Sequence, residues 1–175
     1  MQHHYFIDSF KIRRWVPVLW ILALLGIVLT GCTPTPLLVT PPMPYLTDEA
    51  NVLSEAQRTE LIDRLEAHNS TQVGRIFVLI IPKLPEEKTL EAYAYEKINA
   101  TPLASGERND RILILLPMEE RQVRIETSQD VWERLTDEEC TAIIQQQFIP
   151  QFKTGNYYQG LADGIAAIIA QLEAP

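Results

Sequence analysis

The amino-acid sequence predicts an α/β protein: a three-layer α/β/α sandwich with a small mixed β-sheet, preceded by a lipoprotein signal peptide. Two apolar runs, residues 75–81 and 111–116, are typical of central strands that are covered on both faces. A helical pattern at residues 89–99 separates them, and this spacing of strand, helix and strand favours a right-handed parallel crossover. The chain therefore carries the central unit of an α/β fold.

Residues 1–31 are typical of a bacterial export signal that is removed from the mature protein. Three basic residues between positions 11 and 14 precede an uncharged apolar segment. The residues that close it, Leu29 to Cys32, resemble the box at which lipoprotein signal peptidase cuts. We therefore expect acyl chains such as palmitate on Cys32 to enter membrane lipid, with the protein facing the periplasm, the thylakoid lumen or the exterior. The alternative is an uncleaved transmembrane anchor, for which the 17 apolar residues are at the short limit of about 17 to 25.

The mature chain is expected to consist of a tether and one domain. Residues 33–44 contain five prolines, which favour extended polyproline geometry and a reach of up to about 37 Å. We assign residues 32–44 to the acylated cysteine and the proline-rich tether, and residues 45–175 to the folded domain. About 144 residues remain after cleavage, enough for one domain with a real core.

The charge and the cysteine content limit which classes of partner and which covalent links are expected. Without the signal segment, the chain has 12 basic and 22 acidic residues, a net charge of −10. We expect no nucleic-acid partner, because phosphate binding needs a basic face, and anionic lipid headgroups are repelled as well. Cys140 is the one cysteine besides Cys32, so no internal disulfide is expected, and its helical surroundings favour a small buried side chain.

The remaining elements follow from caps and periodicity. Capping boxes at residues 54–57 and 136–139 open two helices, the first ending near Asn69 and the second running through Phe148. Residues 122–127 alternate between apolar and polar, which predicts an edge strand antiparallel to its predecessor. The last helix covers residues 157–172, with an apolar stripe formed by Leu161, Ile165, Ile168, Ile169 and Leu172.

This topology brings acidic residues to one edge of the predicted sheet. The second strand begins where the antiparallel third strand ends, so the nearby acidic side chains are expected to converge: Asp110, Glu126, Asp130 and Glu133. Asp48, in the irregular segment before the first helix, is a further candidate for the same edge. Carboxylate oxygens suit Ca²⁺ or Mg²⁺. Zinc is not expected, because the sequence has no group of histidines and cysteines to bind it. The predicted metal ligands are therefore Asp48, Asp110, Asp130 and Glu133; the alternative is an ordinary acidic surface on which Asp110 satisfies loop amides.

Four segments in order resemble the TPM domain family, named for its thylakoid, phosphatase and membrane associations. They cover residues 45–54, 109–116, 126–137 and 152–161. The resemblance implies an α/β/α sandwich, often membrane-associated and outside the cytoplasm. Some members of the family bind divalent cations, and some are described as acid phosphatases or as helpers in photosystem II repair.

The sequence differs from the family pattern where activity would reside. Arg111 stands at a family glycine, Ser128 and Asp130 stand at two more, and Trp132 aligns with a family glutamate, which leaves Glu133 one position further on. Loss of glycine removes the freedom to adopt positive φ, so the loop must take another path. Arg111 also brings a cation to the edge where a metal would bind.

These observations favour a lipid-anchored, non-catalytic TPM-domain protein of the bacterial envelope. We expect it to assist the assembly, repair or maintenance of a membrane protein complex, for example of the photosystem II type, and to contact lipid through acylated Cys32. Two alternatives stay open. One is an acid phosphatase that depends on a divalent metal held by Asp110 with Asp48, Asp130 or Glu133. The other is a Ca²⁺-dependent binding module.

Overall fold

A computed structural model describes residues 43–70, 74–100 and 108–174. The predicted signal peptide, Cys32 and nearly all of the tether lie outside the described residues. The described chain contains a four-stranded sheet in the order β1-β2-β3-β4. Its strands are β1 (Leu46–Asp48), β2 (Arg75–Ile81), β3 (Arg111–Pro117) and β4 (Arg124–Thr127).

The sheet is mixed, as the sequence predicts. β1, β2 and β3 are parallel, and β4 pairs antiparallel with β3 at the edge of the sheet. The parallel pairing of β2 with β3 and the antiparallel edge strand are thereby confirmed. β1 was expected to be irregular, and that expectation is wrong. Only three residues pair with Val78, Leu79 and Ile80, too few for an alternating pattern to stand out in the sequence.

Five α-helices of the described residues surround the sheet. They are α1 (Glu55–Asn69), α2 (Leu90–Asn99), α3 (Asp137–Ile143), α4 (Ile149–Lys153) and α5 (Tyr157–Leu172). Both predicted capping boxes are formed, with Ser54 and Thr136 as the N-caps of α1 and α3. Among the described residues, no helix has the length and apolar character needed to cross a bilayer.

The helix predicted to run through Phe148 is interrupted by a π-helical segment, Ile144–Phe148, between α3 and α4. Pro150 lies in the first turn of α4. Proline lacks the backbone N–H, and its ring clashes with the carbonyl four residues earlier in a regular α-helix. The wider π turn immediately before Pro150 removes that conflict, which gives a physical reason for the interruption.

Two hydrophobic clusters lie on opposite faces of the sheet. Ile76, Ile112 and Ile114 belong to the larger cluster, together with apolar residues of α1 and α5. Phe77 and Leu113 belong to the smaller cluster, together with residues of α2. Successive side chains of a strand point to opposite faces, so α1 and α5 cover one face and α2 covers the other. This is the expected three-layer α/β/α arrangement.

Candidate functional site

The predicted acidic residues divide between two edges of the sheet. We call the edge where β2 and β3 begin and β4 ends the amino edge, and the opposite one the carboxyl edge. Asp110 precedes β3 and Asp130 follows β4, so both lie at the amino edge. Asp48 pairs with Ile80 near the end of β2, about 16 Å further along the strand direction. The expectation that Asp48 approaches the same edge is therefore wrong, because residues 46–48 form a parallel strand that carries Asp48 to the carboxyl edge.

Asp110 is engaged by an arginine of the neighbouring strand. Its carboxylate is buried, and its Oδ1 accepts a hydrogen bond of 3.0 Å from the Nε of Arg75. The backbone N–H of Arg75 also donates to the carbonyl oxygen of Asp110, at 2.6 Å. Main chain and side chain of Asp110 therefore both join the start of β3 to the start of β2, and the guanidinium already neutralises the carboxylate.

Asp130 and Ser128 close the turn after β4 onto the start of β3. The Oδ2 of Asp130 accepts from the backbone N–H of Asn109 at 2.9 Å. The buried Oγ of Ser128 accepts from the backbone N–H of Arg111 and lies within donating distance of the Asn109 carbonyl, both at 2.6 Å. Neither Ser128 nor Asp130 has a positive φ. The turn thus follows a path that needs no glycine, and the side chains of Ser128 and Asp130 join it to the start of β3 by hydrogen bonds.

The side chain of Arg111, at the start of β3, contacts the last turn of α2. Its side chain is buried, and its Nη1 donates to the carbonyl oxygen of Ile98 at 3.0 Å. Ile98 lies in the last turn of α2, where a cation interacts favourably with the helix dipole. The Arg111 side chain therefore links α2 to the sheet.

The remaining two acidic residues near this edge differ in their surroundings. Glu126 accepts from the guanidinium of Arg124 at 2.7 Å, so its carboxylate is paired along β4. Glu133 is exposed and forms no hydrogen bond or ion pair with a described residue. Trp132 beside it is 63% exposed. Among the described residues, this edge thus presents one carboxylate without a hydrogen-bond or ion-pair partner, Glu133, and one exposed aromatic ring, Trp132.

The described residues at the amino edge do not fit a divalent cation. Ca²⁺ takes six to eight oxygen ligands, and Mg²⁺ takes octahedral oxygen ligands. Here the carboxylate of Asp110 is bound to a guanidinium and that of Asp130 to a backbone amide. Among residues 43–70, 74–100 and 108–174, no three His, Cys, Asp or Glu side chains are grouped so that they could hold a metal ion.

Asp48 has a structural environment of its own at the carboxyl edge. Its side chain is fully buried, its Oδ1 accepts from the N–H of Val52 at 3.3 Å and its Oδ2 from that of Leu53 at 3.0 Å. A guanidinium nitrogen of Arg58 lies 3.6 Å from the same Oδ2. Asp48 therefore orders the turn that leads from β1 into α1.

A pocket at the carboxyl edge was not predicted from the sequence. The pocket lies between the β3–β4 turn and the segment that contains the π-helix and α4. Its lining includes Met118, Arg121, Val123, Ile144, Phe152 and Lys153. The one available signal was Pro150 inside a helical pattern, which marks a break in the helix but does not reveal a pocket beside it.

Comparison with solved structures shows where this fold recurs. The N-terminal domain of a protein from P. gingivalis is 29% identical and superimposes with a TM-score of 0.61, covering 75% of this chain and 83% of that one. The BA42 protein of Bizionia argentinensis is 20% identical with a TM-score of 0.54, covering 69% and 81%. The N-terminal domain of the cg2496 protein of Corynebacterium glutamicum is 15% identical with a TM-score of 0.57, covering 75% and 82%. The last two show similarity of fold alone.

Comparison of sequences identifies the family. No curated protein matches this chain. The family model of the TPM domain matches residues 46–171, which include every strand and nearly all of every helix described above. The match covers well over half of the sequence and agrees with the fold and with the four segments that resemble the family. The chain therefore belongs to the TPM domain family.

Proposed function

We propose that this chain is a lipid-anchored, non-catalytic accessory protein that assists the assembly, repair or maintenance of a membrane protein complex. The observation that carries the proposal is the ion pair between Arg75 and Asp110. It commits the central acidic residue of the predicted metal site to holding two strands together. The domain then acts through its surface, as a binding module.

A metal-dependent phosphatase would need a bound ion to polarise the phosphate and to activate a water molecule. At the amino edge, Asp110 and Asp130 have protein partners instead, and Glu133 stands alone. A single exposed carboxylate binds divalent ions weakly, because water must then supply most of the coordinating oxygen atoms. This arrangement supports binding over catalysis.

The surface beside that edge has the character of a contact with another protein. Trp132 is 63% exposed, and tryptophan is enriched in protein interfaces because its large ring buries apolar area while its N–H keeps a polar contact. The chain enters β1 from the same edge, since Tyr45 precedes Leu46 and Leu46 pairs with Val78. A tether of up to about 37 Å therefore leads to the edge that carries Trp132, within reach of a partner embedded in the same membrane.

The first experiment is crosslinking in membranes that contain the full chain, with a photoreactive amino acid in place of Trp132. We expect discrete adducts with membrane proteins. The control carries the same amino acid in place of Tyr95, which is 66% exposed on α2. Adducts that are identical at both positions, or absent at position 132, would contradict the proposal.

The second experiment tests the two alternatives directly. The protein is titrated calorimetrically with Ca²⁺, Mg²⁺ and Mn²⁺ and is assayed with a phosphate monoester in each ion. We expect neither saturable binding nor turnover, with the same result for Glu133→Gln. Turnover that is lost in Glu133→Gln would establish the phosphatase. Saturable Ca²⁺ binding without turnover would establish the Ca²⁺-dependent module.

A further inference from the structure

We propose that the pocket at the carboxyl edge binds a small amphipathic anion, an unbranched apolar chain that ends in a carboxylate. The pocket has a volume of about 790 Å³, within the range of about 300 to 1,000 Å³ that is typical of small-molecule sites. It lies at the opposite edge of the sheet from Asp110. The inference does not depend on the function proposed above.

Most of the residues that line the pocket are apolar. Several side chains that line it are partly buried and pack on the larger hydrophobic cluster, so that their remaining surface faces the pocket: Met118, Val123, Ile144, Phe152 and Tyr157. Leu116 at the end of β3 also lines the pocket and is 3% exposed. Such a lining, continuous with the core, favours a ligand with a hydrocarbon body.

The π-helix shapes one wall of the pocket. Within it, the backbone N–H of Ile149 donates to the carbonyl oxygen of Ile144, five residues earlier. Residues five apart are separated by about 140° around a regular α-helix, whereas the wider π turn places them nearly one above the other. Both isoleucines line the pocket, and the π turn brings them closer to the same side of the helix.

Two cations border this apolar space. Arg121 in the β3–β4 turn and Lys153 in the last turn of α4 line the pocket, and both are exposed. Neither forms an ion pair within the described part of the chain. The pocket is lined by no acidic residue among those described, although the sequence has 23 acidic and only 15 basic residues. This local reversal of charge favours an anionic ligand group.

The backbone at Arg121 supports a dedicated role for its side chain. Its φ is 53°, in the left-handed region that disfavours residues other than glycine. Glycine would adopt this conformation without that penalty. The position would suit glycine, yet it holds an arginine. Its side chain places a guanidinium at the rim of the pocket. A guanidinium is also the group that binds a carboxylate with two parallel hydrogen bonds.

The test uses the full chain in nanodiscs of zwitterionic lipid and dodecanoate that carries a photoreactive diazirine, with crosslinked peptides mapped by mass spectrometry. We expect labelling of residues 116–123 and 144–157. The Arg121→Gln/Lys153→Gln variant should need at least about tenfold more dodecanoate for the same labelling, since the charge-assisted hydrogen bonds to the carboxylate are lost. A matched control, Lys83→Gln/Arg108→Gln, removes the same charge at positions outside the pocket lining and should label as the unchanged chain does.

Two further measurements, one with a different probe and one with a different variant, distinguish the possible results. Dodecanol with the same diazirine should label the pocket at least tenfold less than dodecanoate, because it lacks the carboxylate. Gln145→Trp, at an exposed position of the lining, should fill the pocket and abolish labelling. Equal labelling by acid and alcohol, or no effect of the double variant, would overturn the proposal. So would labelling only at other sites, or protection of the pocket peptides in native membranes by a bound protein.

Discussion

The contact between Arg75 and Asp110 is the residue-scale feature on which the amino edge depends. Replacing Asp110 with alanine removes a buried carboxylate that the guanidinium of Arg75 contacts. Breaking a fully buried pair costs about 3 to 5 kcal/mol. Because the Arg75 side chain is 24% exposed, we expect Asp110→Ala to lower the free energy of unfolding by about 2 to 3 kcal/mol, measured by urea denaturation. Glu133→Ala, at an exposed position, should change it by less than about 0.5 kcal/mol. Equal effects of the two variants would show that Asp110 has no such structural role.

Cys140 provides a second prediction at the scale of one residue. It is a free, buried thiol in α3, as the sequence predicts. Burial raises its pKa to about 12, and the nearby carboxylates of Asp137 and Glu139 act in the same direction. Only the thiolate reacts with iodoacetamide, so alkylation at pH 8 should be very slow in the folded protein and fast after unfolding in urea. Rapid alkylation of the folded chain would contradict the burial.

The same thiol implies a sign for the dependence of stability on pH. Its pKa in the folded state lies above the ordinary value of 9.0. The stabilising contribution of the neutral thiol is therefore fully present below pH 9 and is lost as the pH rises toward 12. Cys140→Ala should remove this part of the alkaline loss of stability, which denaturation at pH 8 and pH 10 measures.

The candidate site shows which properties of a residue can be predicted from sequence. Topology placed Asp110 and Asp130 correctly at one edge, because antiparallel pairing of two recognisable strands decides that position. Their chemical roles were not predictable. The partner of Asp110 is Arg75 on another strand, 35 positions away, and the partner of Asp130 is a backbone amide. Asp48 was misplaced because β1 is too short to be recognised.

At the scale of elements, the packing of α5 against the π-helix gives a further prediction. A Cβ at Gly164 would lie 2.1 Å from the Cζ of Phe148, whose ring is fully buried. Overpacking of this kind costs about 1 to 3 kcal/mol, which outweighs the gain of about 1 kcal/mol in helix propensity. We expect Gly164→Ala to lower the melting temperature by several degrees.

The comparison for Gly164 is Gly160→Ala, one turn earlier in the same helix. A Cβ there would lie 2.5 Å from the ring of Phe152, which is only partly buried and can swing toward the pocket. Its effect should be clearly smaller than that of Gly164→Ala. A stabilising effect of Gly164→Ala would show that Phe148 does not hold the position described here.

Helices and strands were predicted correctly where a local sequence signal marks them. They were missed where contacts with distant parts of the chain determine the conformation. The caps of α1 and α3 and the apolar stripe of α5 are local, and the helices begin where the sequence indicates. The π-helix depends on two requirements at once, the missing N–H of Pro150 and the burial of Phe148 against α5. The pocket in turn depends on the π-helix, so neither could be predicted from periodicity.

At the scale of the whole molecule, the sheet separates two surfaces that differ in character. The amino edge receives the tether and carries exposed Trp132, and the carboxyl edge carries the pocket with its two cations. The two surfaces lie at opposite ends of the strands. A membrane partner and a small ligand would then be bound without competition, and loss of dodecanoate binding should leave the crosslinks at position 132 unchanged.

This arrangement rests on the expected processing at Cys32, which the intact mass of the chain recovered from membranes tests. Cleavage before Cys32 removes 31 residues, and acylation adds the mass of the acyl chains and incorporates labelled palmitate. Cys32→Ser should abolish the label and leave the longer precursor, because the modified thiol is lost, whereas Cys140→Ser should process normally. If residues 15–31 instead form an uncleaved anchor, all three chains will retain their first 31 residues and none will take up palmitate. Membrane attachment would survive in that case, but the reach of the tether would be measured from a transmembrane helix rather than from a lipid.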